Sequence, residues 1–148
     1  DAQGTGLAAP QVHVPLRMVV FFVDDARAAA EDGLAEDGLA EDGAVPLTVM
    51  VNPEIEPLDE RREEGWEACL SVPELAGRVP RWHRIRYRFT DLKGERHERV
   101  ASGFHARVVQ HECDHLEGVL YPQRMTDLKS LVFSSEMRHA GGAEEPVA

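Results

Sequence analysis

The sequence predicts an α+β domain in which short antiparallel strands pack around one central helix. Two apolar runs, residues 16–23 and 47–51, are rich in strand-forming residues, and the Asn-Pro pair at 52–53 is expected to end the second run. In residues 84–89, arginines alternate with apolar residues, which is typical of a strand with one buried face. A helix is expected over residues 103–118, where glycine is a suitable C-terminal residue. Because helices do not alternate with these strands, a parallel βαβ sheet is not expected.

Length, hydrophobicity and charge narrow the class of protein. The 148 residues, of which 43% are hydrophobic, fit a single domain over residues 1–148 with its own core. No stretch of eighteen apolar residues occurs, so a membrane span is not expected. The formal net charge of −11 argues against a broad basic surface, so sequence-specific nucleic-acid binding is not expected either.

Two segments are expected to lie outside the packed core. Residues 30–43 repeat Ala-Glu-Asp-Gly with a period of five residues, which matches neither a helix nor a strand. An exposed acidic loop is therefore predicted there. Residues 140–148 are expected to form a flexible tail.

The predicted helix carries the pattern His-Glu-x-x-His at positions 111–115. His111 and His115 are four positions apart, so on a helix their imidazoles project from one face and can bind a single metal ion. Glu112 lies about 100° further round the helix, close enough to act as a base on a water at that metal without ligating it. Charged residues on a helix more often form only a solvated face, but this group lies beside an apolar stripe, which favours the metal hypothesis.

Two histidines leave a catalytic metal one protein ligand short, because such sites commonly take three ligands and a water. Cys69 is the strongest further candidate, since a thiolate binds zinc and ferrous iron well. Glu136 and His139 are weaker candidates. The residues alone leave open whether Cys69 is a ligand or a buried, inert thiol. Cys113 lies about 200° round the helix from each histidine and is expected to be a core thiol.

Three stretches together resemble the motifs of the peptide deformylase family, in the same order. They read GTGLAAPQ at residues 4–11, EACLS at 67–71 and QHECDH at 110–115, and the resemblance extends over about residues 4–121. It implies the deformylase fold, with short strands packed around a metal-binding helix. Ala68 stands where the family usually has glycine. If that position required φ > 0, the alanine would cost about 1 kcal/mol or more. The family also carries an N-terminal segment that this chain is expected to lack.

The resemblance implies a hydrolase that removes the formyl group from N-terminal formyl-methionine of newly made polypeptides and releases formate. The implied metal is Fe²⁺, with Zn²⁺, Ni²⁺ or Co²⁺ as substitutes. Glu112 would move the proton, while the Gln11 amide and the backbone N–H of Leu70 would stabilise the oxyanion. The implied metal ligands are Cys69, His111 and His115, and the residues expected to contact substrate are Gly6, Trp66, Ala68, Phe104, Arg107 and Val108.

Three finer expectations concern environment and partners. Asp114 either orients a ligating histidine or is paired at the surface. The arginine row at 84–88 could make a transient contact with the ribosome, although such a row is more often a solvated face. The main partner that the resemblance implies is a nascent formyl-methionyl chain. Free thiols suit a reducing compartment, so a bacterial cytoplasm is expected, with an organelle left open.

Three alternatives belong to other functional classes. A deformylase-like protein could be impaired by Ala68 or by the missing N-terminal segment. A zinc endopeptidase would require a third ligand C-terminal to the helix and an open cleft for an extended chain. A structural metal module would require a fourth cysteine or histidine ligand.

Overall fold

A computed structural model describes residues 4–29 and 43–141 of the chain. The acidic repeat at 30–43 and the tail at 140–148 lie almost entirely outside these ranges, so the predicted loop and tail stay predictions. The single-domain boundary drawn around residues 1–148 likewise stays a prediction. The α+β class is confirmed by the mixture of antiparallel strands and few helices.

Eight strands occur in the described residues, and every pairing between them is antiparallel. Five strands form one sheet in the order β1-β2-β3-β6-β7, and three form a second sheet in the order β4-β5-β8. The strands are β1 Gly6–Ala8, β2 Met18–Val23, β3 Val45–Pro57, β4 Arg62–Cys69, β5 Val72–Trp82, β6 Arg84–Thr90, β7 Arg96–Ser102 and β8 Val132–Phe133.

The predicted central helix is α2, Gly103–Leu116, and it follows a short helix α1, Asp25–Ala29. The backbone of α2 is followed by Gly118 with φ +70°, as expected for a glycine just beyond a helix. Short 3₁₀ segments make up the remaining regular structure: Ala9–Val12, Tyr121–Arg124, Leu128–Ser130 and Ser134–Ala140. Within the described part of the chain, no helix combines the length and the apolar character needed to cross a membrane.

The main core lies between one face of the large sheet and helix α2. Alternate residues of β2 and β6, including Phe21, Ile85 and Tyr87, are completely buried against Val108 and Val109 of the helix. The alternation predicted for residues 84–89 is therefore confirmed, because the apolar residues face the helix and the arginines do not. The opposite face of α2 carries polar side chains that point towards the small sheet.

The predicted strand end at residues 52–53 is wrong. Strand β3 continues through Asn52 and Pro53, with a shift of register between Val51 and Glu54. Asn52 has φ +50°, a conformation that asparagine adopts more readily than most residues. An irregularity of this kind accommodates the missing N–H of proline, so the pair interrupts the regular pairing without ending the strand.

Ile85→Ala tests this core directly. Ile85 is fully buried, so the substitution should lower the free energy of unfolding by about 2–5 kcal/mol. Urea denaturation followed by circular dichroism measures the loss. Leu92→Ala is the control, because Leu92 is 70% exposed and its truncation should change stability by about 0.5 kcal/mol or less. Equal stability of the two variants would contradict the placement of the core.

Candidate metal centre and active site

The structure brings the three predicted metal ligands together. Cys69 is the last residue of β4, and a two-residue turn then leads into β5. Its Sγ lies 3.4 Å from Nε2 of His115, and the rings of His111 and His115 are 5.1 Å apart on α2. One ligand atom from each of the three residues lies within 4.8 Å of those of the other two. Glu136 and His139, the weaker candidates, are exposed and lie outside this group.

The surroundings of Cys69 favour the thiolate, which is the form that binds metals. Burial works to raise the pKa of the thiol, but hydrogen bonds from His111 and His115 and from the backbone N–H of Ser71 outweigh it and lower the pKa to about 5. The Ser71 nitrogen lies 3.4 Å from Sγ. Burial instead raises the pKa of Cys113 to about 12, and this residue packs against the main core as expected.

Glu67 orients one of the ligating rings, a role that the sequence analysis missed. Its Oε2 lies 2.9 Å from Nδ1 of His111, which places the ring proton on Nδ1 and leaves Nε2 available to a metal. Glu67 is fully buried and also accepts hydrogen bonds from Arg81 and Arg107. Burial works to raise its pKa, but the hydrogen bonds from Arg81 and His111 hold the pKa well below its usual range.

Neither expectation for Asp114 is met in the described residues: its carboxylate pairs with arginines and not with a ligating histidine, and the pair with Arg81 is buried and not at the surface. Its carboxylate accepts hydrogen bonds from Arg81 at 2.6 Å and from Arg124 at 2.8 Å. Arg81 in turn binds Glu67, so Asp114 is connected to His111 only through two intervening side chains. The sequence held only part of the signal for Glu67: two residues from Cys69 on one strand, it can share a face with the thiol, but the spacing does not indicate its partners Arg81 and His111.

Glu112 is buried beside the three ligands and directly against strand β1. Its Oε2 has no hydrogen-bond partner among the described residues. A Cβ added at Gly6 would lie only 2.4 Å from Oε1, so the glycine is what allows this carboxylate to approach the strand. Burial raises the pKa of Glu112 to about 7, against the opposing effect of His111 and His115. A carboxyl group with this pKa can take up and return a proton near neutral pH.

The side chain of Gln11 also reaches the cluster of Cys69, His111 and His115. Its Oε1 accepts a hydrogen bond from the backbone N–H of Ala8 at 2.8 Å. Its Nε2 lies 3.1 Å from Oγ of Ser71 and 3.7 Å from Sγ of Cys69. Leu70, whose backbone N–H is the second group expected to bind an oxyanion, directly follows Cys69 in the turn.

The residues expected to contact substrate are distributed over several environments, and their role stays a prediction. Gly6 lies at the cluster, whereas Trp66 packs with Ala76 and Met137 in a separate small core. Arg107 is buried and donates to Glu67 and to the carbonyl oxygen atoms of Glu63 and Val79. The last two members of the predicted set, Phe104 and Val108, belong to the main core.

Ala68 does not have the strained backbone considered in the sequence analysis. In the described part of the chain, the residues other than glycine with positive φ are His13, Asn52 and Glu74. Ala68 pairs with Ala76 of β5, and the register of the two strands shifts directly after it, between Ala68 and Cys69. The energetic cost expected for φ > 0 therefore does not arise at this position.

The donor set fits a divalent transition metal. One thiolate and two imidazole nitrogens are the ligand types that zinc and ferrous iron bind, and three protein ligands leave a position for water. A hydrogen bond from Nδ1 to Glu67 directs His111, and the unpartnered Oε2 of Glu112 lies beside the cluster. Hydrogen bonds to Cys69 and Glu67 outweigh burial and raise the pKa of His111 to about 10, so a bound cation would displace a proton there.

Comparison with known proteins decides the family. The sequence model described as polypeptide deformylase matches residues 1–131. The chain belongs to the peptide deformylase family. It is 50% identical over 133 residues to peptide deformylase 2 of Ralstonia nicotianae, with 90% of this chain and 70% of the relative covered. It is 54% identical over 127 residues to peptide deformylase 1 of Bordetella pertussis, covering 86% of this chain and 66% of the relative. The chain thus spans about two thirds of the length of these relatives.

A solved structure of a class I type b peptide deformylase from Acinetobacter baumannii, bound to Met-Ala-Ser, has a similar fold. The TM-score is 0.67 at 36% identity, and the match covers 82% of this chain and 70% of that one. These findings confirm the predicted family, fold and enzyme class, which is a deformylase and therefore a hydrolase. The family implies a catalytic metal, for which Cys69, His111 and His115 form a possible site.

Gly6→Ala should impair turnover without removing the metal. The new Cβ would lie within 2.7 Å of three atoms of the Glu112 side chain, so the carboxylate or strand β1 must shift. A displacement of this size should lower kcat by about 10- to 100-fold. Gly43→Ala is the matched control, because a Cβ at that position meets nothing within 4 Å. Unchanged turnover with one metal per chain would show that the contact is unimportant.

Glu67→Gln should weaken metal binding. The substitution removes the charged acceptor of His111 and leaves Arg81 and Arg107 without their shared carboxylate, so affinity should fall by about 10- to 100-fold. Competition with a chelator measures the affinity, and circular dichroism checks the fold. Glu63→Gln serves as the control, because the half-exposed Glu63 carboxylate pairs with Arg61 and His83 and not with the cluster. A folded Glu67→Gln variant with wild-type affinity would refute the assigned role.

Proposed function

We propose that the chain hydrolyses the N-formyl group of N-terminal formyl-methionine on newly made polypeptides and releases formate. The observation that carries this proposal is the buried Glu112 carboxylate, unpartnered at Oε2 and adjacent to a cluster of one cysteine and two histidines. A general base beside a metal site is the arrangement that amide hydrolysis requires. Membership of the deformylase family supports the same reaction.

Cys69 Sγ, His111 Nε2 and His115 Nε2 would hold the metal, for which we propose Fe²⁺, with Zn²⁺, Ni²⁺ or Co²⁺ able to substitute. When bound, the cation lowers the pKa of a water and polarises the formyl carbonyl group. A thiolate beside two imidazoles suits any of these ions, so the choice of iron rests on family resemblance.

Glu112 moves the proton in this mechanism. Its Oε2 accepts a proton from the attacking water, whose oxygen forms a bond to the formyl carbon. The same carboxyl group then gives the proton to the departing amine nitrogen as the carbon–nitrogen bond breaks. The products are formate and a free peptide N-terminus. Burial raises the pKa of Glu112 above the usual value of a glutamate, which makes this carboxylate a stronger base than an exposed one.

Gln11 and Leu70 would stabilise the negative charge that develops on the formyl oxygen. The side-chain N–H of Gln11 lies near the thiol of Cys69, and Leu70 is the residue that directly follows Cys69 in the turn. Donors fixed in advance stabilise a transition state more than donors that must reorient.

The substrate is proposed to bind as an extended chain along β1. This strand is at the edge of the large sheet, and an extended peptide can pair with such an edge. An open apolar groove, lined by Leu7, Phe22, Leu47 and Leu70 among others, lies beside the strand. The Acinetobacter relative bound to Met-Ala-Ser supports a peptide that begins with methionine.

Two further proposals, a contact with the ribosome and a location in the bacterial cytoplasm, have less support. Arg86 and Arg88 of the arginine row form ion pairs with Glu56 and Glu98, which supports a solvated face more than an RNA-binding surface. The bacterial origin of the relatives supports the bacterial cytoplasm, and an organelle stays open.

The alternative functions receive less support. The third candidate ligand, Cys69, precedes the helix, whereas a zinc endopeptidase of the expected type needs it after the helix. In the part of the chain that the structure describes, the cluster contains no fourth cysteine or histidine, which argues against a purely structural site. The unstrained backbone of Ala68 removes one reason to propose an impaired enzyme.

Glu112→Ala separates a catalyst from a structural metal protein. Turnover should fall by about 10²- to 10⁴-fold, because the general base is lost, while one metal per chain is retained. Formate release from formyl-Met-Ala-Ser is the assay, with protein loaded with metal in the absence of oxygen. Glu117→Gln is the control, since Glu117 is exposed directly after the end of α2 and pairs with Arg17. Formate release at the wild-type rate from Glu112→Ala would refute the proposed mechanism.

A further inference from the structure

Ser71 is a member of the second motif whose side chain the proposed mechanism does not use. It is the second residue of the turn between β4 and β5, directly beside the thiol of Cys69. Its Oγ lies 3.1 Å from Nε2 of Gln11, a residue 60 positions away in the sequence. A contact over this separation is formed only when the loop after β1 meets the turn of the small sheet.

The hydrogen bonds of Gln11 show what this contact does. Oε1 accepts from the N–H of Ala8 at 2.8 Å, so the oxygen and nitrogen of the amide cannot exchange places without losing that bond. Nε2 carries two N–H groups. One donates to Oγ of Ser71, and the other is directed towards the metal cluster, where Sγ of Cys69 lies at the long distance of 3.7 Å. Hydrogen bonds at both Oε1 and Nε2 hold the amide in one orientation.

We propose that Ser71 is a positioning residue for Gln11. Its hydroxyl oxygen accepts a hydrogen bond from one N–H of the Gln11 amide, so that the other N–H faces the formyl oxygen. This inference rests on the proposed function, because only then does the second N–H have an oxyanion to stabilise. Gln11 is half-buried and Ser71 is exposed, so without the hydroxyl the amide is free to donate to solvent. A donor that must reorient stabilises the transition state less than one held in place.

The chain offers a clean substitution at this position. The backbone N–H of Ser71 donates to Sγ of Cys69, and that bond does not depend on the side chain. Ser71→Ala therefore removes the contact with Gln11 and leaves the contact with the thiol. Ser71→Thr keeps a hydroxyl at the same carbon and should restore the contact.

The test is a double-mutant cycle on formate release from formyl-Met-Ala-Ser. Ser71→Ala should lower kcat by about tenfold with KM little changed, since a misplaced oxyanion donor acts on the transition state. Ser71→Thr should recover most of the rate. In a Gln11→Ala background, Ser71→Ala should cost nothing further, because the two residues act as one unit. A full additional tenfold loss in that background would overturn the proposal.

Two further measurements separate positioning from other effects. Cobalt-loaded Ser71→Ala should keep the thiolate-to-cobalt absorption band of the wild type, and a shifted band would overturn the proposal by showing that Ser71 acts through Cys69. Ser130→Ala is the matched control, because its hydroxyl accepts from the N–H of Arg78 away from the cluster, and its turnover should be unchanged.

Nuclear magnetic resonance distinguishes failure of this inference from failure of the proposed function. In ¹⁵N-labelled protein, the side-chain amide signals of Gln11 should move in Ser71→Ala and return in Ser71→Thr, whether or not formate is released. Unchanged signals would overturn the positioning role. Absence of formate release from the wild type would instead overturn the function.

Discussion

The rest of the site depends on the hydrogen bonds of the buried Glu67 carboxylate. It joins three elements, because it lies on β4 and binds Arg81 of β5 together with Arg107 and His111 of α2. An isolated carboxylate in this position would be strongly unfavourable, so the two arginines are needed for it to be charged at all. Once the small sheet is tied to the helix in this way, Cys69, two residues further along β4, reaches the histidines.

Glu112 represents the opposite case, a buried polar group that the fold leaves without a partner. Its Oε2 has none among the described residues, whereas every carboxylate oxygen of Glu67 is bonded. Leaving a buried acceptor unsatisfied costs about 1–3 kcal/mol, so stability alone would not retain it. Such a cost in stability is expected at a functional site, and the proposed role of Glu112 is to bind and release a proton. The neighbouring strand has a glycine, Gly6, where a side chain would collide with the same carboxylate.

The sequence predicted what depends on local spacing and missed what depends on how distant segments meet. The helix and its two histidines follow from a period of 3.6 residues, and Cys69 required the family resemblance. The partnership of Glu67 with Arg81 and His111 depends on strand pairing and on the docking of α2, which no local pattern contains. Trp66 shows the same limit, because neither hydrophobicity nor proximity to Cys69 indicates which face of β4 it occupies.

The faces of β4 also explain why alanine is accommodated at position 68. Glu67 and Cys69 contact helix α2, whereas Trp66 and Ala68 face the small core that contains Ala76. The Cβ of Ala68 therefore adds apolar contact in that small core. Its φ is not positive, and the shift of strand register follows only after it, between Ala68 and Cys69. Alanine in place of the usual glycine thus changes the packing of the small core, while Cys69, His111 and His115 still lie together as a possible metal site. The backbone at position 68 therefore gives no reason to expect an impaired enzyme.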